Sequence, residues 1–246
     1  MHRDQAKDRL MTQAVASTLL AFTLMTAIAS AQQKEQFVQA QQANTTALRE
    51  YTWKRRTDLK LKGESKKVTM EQVRYDIDGK LEKTPIGGAP EQPPQEQPAS
   101  GRGRRGGRVK QKVIENKKEE FAELMQKLGA LAASYGQLPQ DKLQAFAKNA
   151  TAGKGEGAEA GTVRIQGGNV LVDGDSMSIW IDPVSYMMRR VEIGTSLEKK
   201  PVRLVSEYRS VDNGPTYQAR AVLQYPEKQI ELTIENFEYQ HVAAAK

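Results

Sequence analysis

The chain has no cysteine and only two histidines, His2 and His241, among its 246 residues. The absence of cysteine excludes disulfide bonds, thiolate metal sites and a cysteine nucleophile. The scarcity of histidine excludes most metal sites and most acid–base catalysis that depend on imidazole. Gly-x-Ser-x-Gly, phosphate-binding glycine loops and His-x-x-x-His are also absent. The sequence therefore predicts a protein that is not an enzyme and that has no metal and no cofactor.

Long apolar runs are scarce too, and the one at 14–28 lies near the start of the chain. A basic stretch precedes this run, and Ala29-Ser30-Ala31 follows it with the small-x-small pattern that signal peptidase requires. The run is shorter than the ~20 residues that span a bilayer. We therefore predict a cleaved signal peptide at 1–31 and an exported protein, periplasmic or secreted. The alternative is an uncleaved membrane anchor.

The rest of the chain, 32–246, is predicted to form a single domain with one unusual insert. Hydrophobic residues make up 38% of the sequence, which is low for a globular domain but too high for general disorder. Residues 85–108 are rich in Pro, Gly and Arg and contain no aromatic residue. Such a segment cannot bury enough apolar surface to offset its ordering entropy, so we predict that this insert is disordered.

Two periodicities predict an α+β fold. Apolar residues recur at three- and four-residue steps in three segments, which predicts helices over 33–50, 109–135 and 139–149. Alternating residues and turn signals predict strands in the remaining segments, with 150–161 as a flexible connector. The predicted strands are 51–62, 67–77, 80–83, 162–166, 169–172, 176–181, 186–193, 201–211, 217–225 and 229–239. The short links between the later strands predict an antiparallel meander with helices on one face.

The element order behind a signal peptide resembles that of the Lol lipoprotein carriers. The best local matches are Ser178–Pro183, where a strand ends in an Asp-Pro turn, the following strand Tyr186–Glu192, and the first strand Tyr51–Arg55. The resemblance implies a curved antiparallel half-barrel covered by helices, with a cavity that takes up acyl chains. The helical segment at 109–149 and the insert at 85–108 depart from the carrier pattern.

The chain is also similar to a group of uncharacterised exported bacterial proteins. The shared pattern consists of Tyr51-Thr52-Trp53, Leu59–Glu64, Arg74-Tyr75 and Lys83–Ile86. This second resemblance is closer than the first, but it implies no activity.

Five residues are candidate ligand contacts. Trp53 and Arg55 share the apolar face of the first strand, where a charge is costly unless it is paired or placed at the rim. Arg55 therefore either lies at the rim with its guanidinium in water, or contacts a ligand head group at the cavity mouth. Met177, Ile179 and Ile181 form the apolar side of their strand, as a cavity wall or as ordinary core.

The insert offers a second candidate site, for an anionic surface. Its flexible arginines would contact anionic head groups of the cell envelope, or the insert is simply solvated. These residues are Arg102, Arg104, Arg105 and Arg108. The export signal and the lack of interleaved aromatic residues argue against nucleic acid.

Taken with the resemblance, these features predict non-catalytic binding of an apolar or lipidic ligand between a curved sheet and helices. The predicted partners are a lipid, an acyl chain or an envelope protein. The alternative is a cell-envelope interaction or sensor module that has no small-molecule ligand.

Overall fold

The computed structural model describes residues 31–87, 107–136 and 138–242. Within these residues, ten strands form one open, curved and antiparallel sheet, and three helices accompany it. This confirms the predicted fold class, an α+β protein with a curved antiparallel sheet. Arg102, Arg104 and Arg105 lie outside the described residues, as does the predicted signal peptide apart from Ala31.

The three helices lie close to their predicted positions. They are α1 (Ala31–Leu48), α2 (Gly107–Gly136) and α3 (Gln140–Asn149). Helix α2 begins inside the predicted insert and includes Arg108, and Pro85 at the other end of the insert closes a strand. No helix in the described part of the chain is long and apolar enough to cross a membrane.

The sheet places the first and last strands side by side in its interior. Its order is β3-β2-β1-β10-β9-β8-β7-β6-β5-β4, so β1 pairs with both β2 and β10. The strands are β1 (Tyr51–Leu61), β2 (Glu64–Tyr75), β3 (Leu81–Pro85), β4 (Thr151–Lys154), β5 (Val163–Gly168), β6 (Ser176–Ile181), β7 (Met188–Leu197), β8 (Lys200–Ser210), β9 (Thr216–Tyr225) and β10 (Ile230–His241).

The predicted flexible connector at 150–161 is wrong. Strand β4 pairs with β5 and forms one edge of the sheet, and a short 3-10 turn follows at Gly157–Glu159. All four residues of β4 are exposed. Because the strand is held by backbone hydrogen bonds and buries no side chain, it has no apolar pattern for sequence analysis to detect.

The strand predicted at 169–172 is also wrong, because a carboxylate holds this segment as a loop. The side chain of Asp175 accepts hydrogen bonds from the backbone N–H groups of Val170, Leu171 and Val172 at 2.6–2.9 Å. Side chains of this kind compete with a strand ladder for backbone donors. The preceding strand, β5, ends with the Gly167-Gly168 pair.

The apolar core consists of two clusters under the helices. One joins Phe37 of α1, Tyr135 of α2 and Phe146 of α3 to strands β5, β6 and β7. The other joins Met125 and Leu128 of α2 to strands β8, β9 and β10. Helix α2 contributes to both clusters because its bulky apolar residues recur at helical spacing along one stripe.

The opposite face of the sheet carries ion pairs. The basic residues on the outer face of β1 are matched by acidic residues of β10: Lys54 with Glu238, Arg56 with Glu235, and Lys60 with Glu231. These pairs are partly exposed and each contributes little to stability. The apolar core and the cavities described below lie on the other face, which the helices cover.

Candidate functional site

An apolar cavity of about 110 Å³ lies between α2 and strands β7 to β10. Its walls include Leu128 and Tyr135 of α2, Val191 of β7, Leu204 of β8 and Ile234 of β10. A dry apolar cavity of ~150 Å³ holds a benzene ring in other proteins. This cavity is smaller than that one, so it has room for a short alkyl chain or for a ring no larger than benzene.

Small residues create this cavity. Helix α2 turns Gly129 and Ala132 toward the sheet, and Ala221 of β9 lies in the facing wall. Larger side chains at these positions would fill the space, as they do elsewhere in the two core clusters. Protein interiors are otherwise close-packed, so an unfilled apolar space of this size is a distinctive feature.

A second, polar chamber of about 60 Å³ lies under α1. Met188, Tyr208 and Gln218 line both this chamber and the apolar cavity, so the two spaces adjoin. Most of the other residues that line the chamber carry polar groups: Gln41, Asn44, Thr45, Trp53, Arg55, Tyr75, Thr216, Tyr217, Asn236 and Tyr239.

Hydrogen bonds hold α1 over the polar chamber. The Asn44 side chain bonds both backbone groups of Thr216, donating to its carbonyl at 2.8 Å and accepting from its N–H at 2.6 Å. Gln41 donates to the backbone carbonyl of Tyr186 at 2.8 Å. The helix is thereby fixed to the turns at one end of the sheet.

Arg55 lies inside the polar chamber and not at its rim. The residue is only 4% exposed, so the interpretation with the guanidinium in water is wrong. Its Nε donates to the side-chain oxygen of Asn236 at 2.8 Å, and Trp53 Nε1 donates to the same oxygen at 3.1 Å. Asn236 in turn donates to the backbone carbonyl of Gln218 at 2.8 Å. This network fixes the position of the guanidinium.

The Arg55 charge has no ion-pair partner among the described residues. Glu71 stands opposite Arg55 in register on β2, but the two groups form no ion pair. Burial lowers the pKa of Arg55, although neighbouring Tyr239 and Glu71 partly oppose this shift. An arginine remains protonated at neutral pH even when its pKa is lowered. The chamber therefore contains a fixed positive charge.

Aromatic rings form one wall of the chamber. Trp53 stacks on Tyr239 with ring centroids 5.2 Å apart and planes 6° apart. The rings of Tyr217 and Tyr239 are also in contact, with their centroids 4.0 Å apart. Burial raises the pKa of Tyr75 and of Tyr239. Both phenols therefore stay protonated at neutral pH and are available as hydrogen-bond donors.

Gln218 lies at the boundary between the two spaces, and one atom of its side-chain amide has no hydrogen-bond partner among the described residues. Its Nε2 donates to Ser206 Oγ at 2.9 Å, and its Oε1 is buried without a partner among the described residues. Turning the amide over exchanges the two atoms and leaves the other one unbonded. A buried polar atom without a partner is costly, so this position favours an occupant that can form a hydrogen bond.

The predicted ligand contacts fall into two groups in the structure. Trp53 and Arg55 lie together in the polar chamber. Met177, Ile179 and Ile181 are at most 2% exposed and belong to the filled core cluster, and they line neither of the two cavities. Their role as ligand contacts stays a prediction. The cavity walls come instead from α2 and β7 to β10, and Gly129 and Ala132 within the apolar stripe of α2 were the available signal.

Trp180 lies on the opposite face of the sheet from Ile179 and Ile181. The guanidinium groups of Arg164 and Arg190 lie over its ring, at 5.2 Å and 5.9 Å from the ring centroid. Such cation–π contacts stabilise the outer surface of β5, β6 and β7. Trp180 is thus separated from both cavities.

A buried polar network anchors the C-terminal end of α2 beside the apolar cavity. The Tyr135 hydroxyl donates to the Asp175 carboxylate, and the Thr195 hydroxyl lies 2.8 Å from the same tyrosine oxygen. Burial raises the pKa of Asp175, but the bonds from Tyr135 and from three backbone N–H groups outweigh this and hold the pKa below its usual value. The ionised carboxylate is therefore fully hydrogen-bonded.

Clusters of three or more metal-ligating side chains are absent from the residues that the structure describes. The two spaces together therefore present one buried cation, several neutral hydrogen-bonding groups and an apolar volume, whereas the ionised Asp175 lines neither of them.

Comparison with known proteins gives two solved structures of similar shape. No family model matches the chain, and no curated protein matches it significantly. It is similar to a LolA superfamily protein from Nitrosomonas europaea, with 9% identity, a TM-score of 0.34, and coverage of 83% of this chain and 94% of that one. It is also similar to a DUF1329 family protein from Desulfovibrio piger, with 10% identity, a TM-score of 0.41, and coverage of 86% and 92%. The likeness to Lol carriers thus recurs among solved structures.

Proposed function

We propose that the protein is an exported, non-catalytic binder of an apolar or lipidic ligand, which it holds between the curved sheet and α2. The observation that carries this proposal is the unfilled apolar cavity between α2 and strands β7 to β10. Its walls are largely aliphatic, and apolar cavities of this size stay dry and accept apolar molecules. Burial of apolar ligand surface there supplies the binding free energy.

The size of the cavity sets what it accepts without rearrangement. At about 110 Å³ it takes a short chain or a small ring. A longer acyl chain requires α2 to move away from the sheet. Its contacts at Met125 and Leu128 are apolar and non-directional, so they permit such a movement more readily than hydrogen bonds would.

The direct test is binding of the neutral apolar fluorophore N-phenyl-1-naphthylamine, which is larger than the cavity and therefore also requires α2 to move away from the sheet. The wild-type protein is expected to enhance its fluorescence. Ala221→Leu should abolish the enhancement and leave the melting temperature unchanged or higher, because the added methyl groups fill the cavity. The matched control is Ala152→Leu on the exposed strand β4, which should bind the dye as the wild type does.

Two results would contradict the proposal. If the wild type binds no apolar probe, the cavity is only a packing defect, and the interaction module becomes the better hypothesis. If Ala221→Leu and Ala152→Leu bind equally well, the dye occupies another surface.

Export is a separate part of the proposal. It rests on the basic start, the apolar run at 14–28 and Ala29-Ser30-Ala31. Mass spectrometry of protein from the native host should find Gln32 at the mature N-terminus. Detection of intact Met1 in a membrane fraction would support an uncleaved anchor instead.

A further inference from the structure

We propose that the ligand is an amphipathic carboxylate: its head pairs with Arg55 in the polar chamber, and its short alkyl or aromatic tail occupies the apolar cavity. This inference rests on the proposed function, because the tail needs the same cavity. It adds the chemical class of the head group and the direction in which the ligand lies.

The state of Arg55 favours a ligand with an anionic head. A buried charge without a counter-charge is costly, and Arg55 is 4% exposed with no ion-pair partner among the described residues. Its Nε is occupied by Asn236, whereas its two terminal nitrogens donate no hydrogen bond to any described residue. The outer edge of the guanidinium is therefore available to the chamber, in an orientation that Asn236 and Trp53 hold in place.

The outer edge of the Arg55 guanidinium matches a carboxylate in shape and charge. The two terminal nitrogens of a guanidinium form a planar fork that pairs with both oxygens of a carboxylate at once. The protonated phenols of Tyr75 and Tyr239, which also line the chamber, add neutral donors around it. Arg55 is the only charged residue among the described lining residues, and Glu71 is close enough to act on its pKa. One positive charge with a carboxylate nearby favours a ligand head with a single negative charge over a doubly charged phosphate ester.

The polar chamber and the apolar cavity adjoin, so one ligand can occupy both. Met188, Tyr208 and Gln218 line both, so a molecule with its head at Arg55 can extend its tail toward α2 without crossing the core. The chamber of about 60 Å³ accepts a compact head, and the cavity of about 110 Å³ accepts a short tail. The unsatisfied amide of Gln218 lies at the junction, where a bound water can donate to its Oε1 or, with the amide turned over, its Nε2 can donate to a carboxylate oxygen.

The test compares ligands that share a tail or a head. Isothermal titration at pH 7 would measure octanoate, octanol, octyl phosphate and acetate against the wild type, Arg55→Met and Arg74→Met. Arg74 is an exposed arginine paired with Glu82, so its variant controls for the loss of one positive charge. We expect the wild type to bind octanoate at least ten-fold more tightly than octanol or octyl phosphate, and acetate only weakly.

The variants should separate the head from the tail. Arg55→Met is expected to weaken octanoate binding by about ten- to hundred-fold, as for the loss of a charge-assisted hydrogen bond, and to change octanol binding by less than about two-fold. Arg74→Met should bind all four ligands as the wild type does. Equal loss of octanoate binding in both arginine variants would overturn the assignment to Arg55.

Results from the wild type alone distinguish this inference from the proposed function. If octanol binds as tightly as octanoate, the carboxylate inference fails while the apolar site stands. The carboxylate inference would also be overturned if acetate or octyl phosphate bound as tightly as octanoate. If neither octanoate nor octanol binds, both proposals fail. Because these comparisons need no substitution, they decide the question even if Arg55→Met does not fold.

Discussion

Helices α1 and α2 both cover the same face of the sheet, but they are attached to it in different ways. Among the described side chains of α1, only Phe37 is fully buried, and the helix is held by hydrogen bonds from Gln41 and Asn44. Helix α2 instead buries Met125, Leu128 and Tyr135. The space under each helix has the same character as the helix: polar and charged under α1, apolar under α2.

The two kinds of attachment indicate which helix can move. Hydrogen bonds are directional, so a small displacement of α1 breaks its contacts with Thr216 and Tyr186. Apolar contacts tolerate sliding, and α2 has a fixed polar anchor at its C-terminal end, where Tyr135 meets Asp175. We therefore expect α1 to hold its position over the head-group chamber, and the middle of α2 to adjust to the length of the tail.

The largest effect on stability is expected from weakening the apolar contacts between α2 and the sheet. Leu128→Ala removes a side chain that is 0% exposed and packs on strands β8 to β10, and should lower the free energy of unfolding by about 3 kcal/mol. Urea denaturation measures this change. The matched control is Leu124→Ala on the same helix, where the side chain is only partly buried and the loss should be smaller. Similar losses at both positions would show that α2 has no distinct buried stripe.

A smaller effect is expected from removing the polar anchor of α2. Tyr135→Phe deletes the hydroxyl that bonds Asp175 and should lower the free energy of unfolding by about 1–3 kcal/mol at pH 7. Because the pKa of Asp175 is depressed in the folded state, its contribution is present above the ordinary aspartate pKa of ~3.9 and is lost as the pH falls through the folded value. The difference between wild type and variant should therefore shrink below about pH 4.

Comparing the stability of the wild type and Tyr135→Phe at two pH values tests this prediction. Thermal melts of the two proteins at pH 7 and pH 3 would measure it, with Tyr186→Phe as a control because its hydroxyl bonds Gln36 at an exposed site. A difference that is the same at both pH values would mean that the tyrosine does not bond an ionised carboxylate.

The smallest effect on global stability is expected at α1. Asn44→Ala removes both bonds to Thr216 and should cost only about 1 kcal/mol, since the sheet does not depend on α1. Hydrogen exchange of the α1 amides should nevertheless accelerate several-fold, because local opening no longer breaks those bonds. Thr45→Ala is the control, since its hydroxyl bonds only the carbonyl of Gln41 within the same helix. Unchanged exchange in Asn44→Ala would show that α1 is held by other contacts.

Local patterns in the sequence were sufficient to predict the helices and most strands. The stripe that includes Met125 and Leu128 identified α2, and the alternation of Ile230, Leu232 and Ile234 identified β10. Strand β4 could not be found this way, because it has no buried face. Alternation identifies the faces of a strand and not its neighbours, so the pairing of β1 with β10 also lay outside what local sequence determines.

The site was harder to predict because it depends on distant parts of the chain. Whether Arg55 lies at a rim or inside the protein is decided by α1, which covers it, and by Asn236 on the last strand. The apolar cavity is a space that Gly129, Ala132 and Ala221 leave unfilled, and no single one of these residues marks it. Its location follows only once α2 is packed on β9.

The central position of β10 has a consequence for the order of folding. Strands β1 to β3 form a three-stranded unit and β4 to β9 a six-stranded unit, and β10 is the strand that joins them, with partners such as Leu59 opposite Leu232. Until this final strand is available, β1 and β9 each present an unpaired edge, and such edges associate readily with other chains. Closing the contact between the two ends of the chain also carries the entropy cost of a long loop, which slows folding. The buried Asn236, which orients Arg55, belongs to this last strand, so the charged chamber is completed only when the sheet itself is complete.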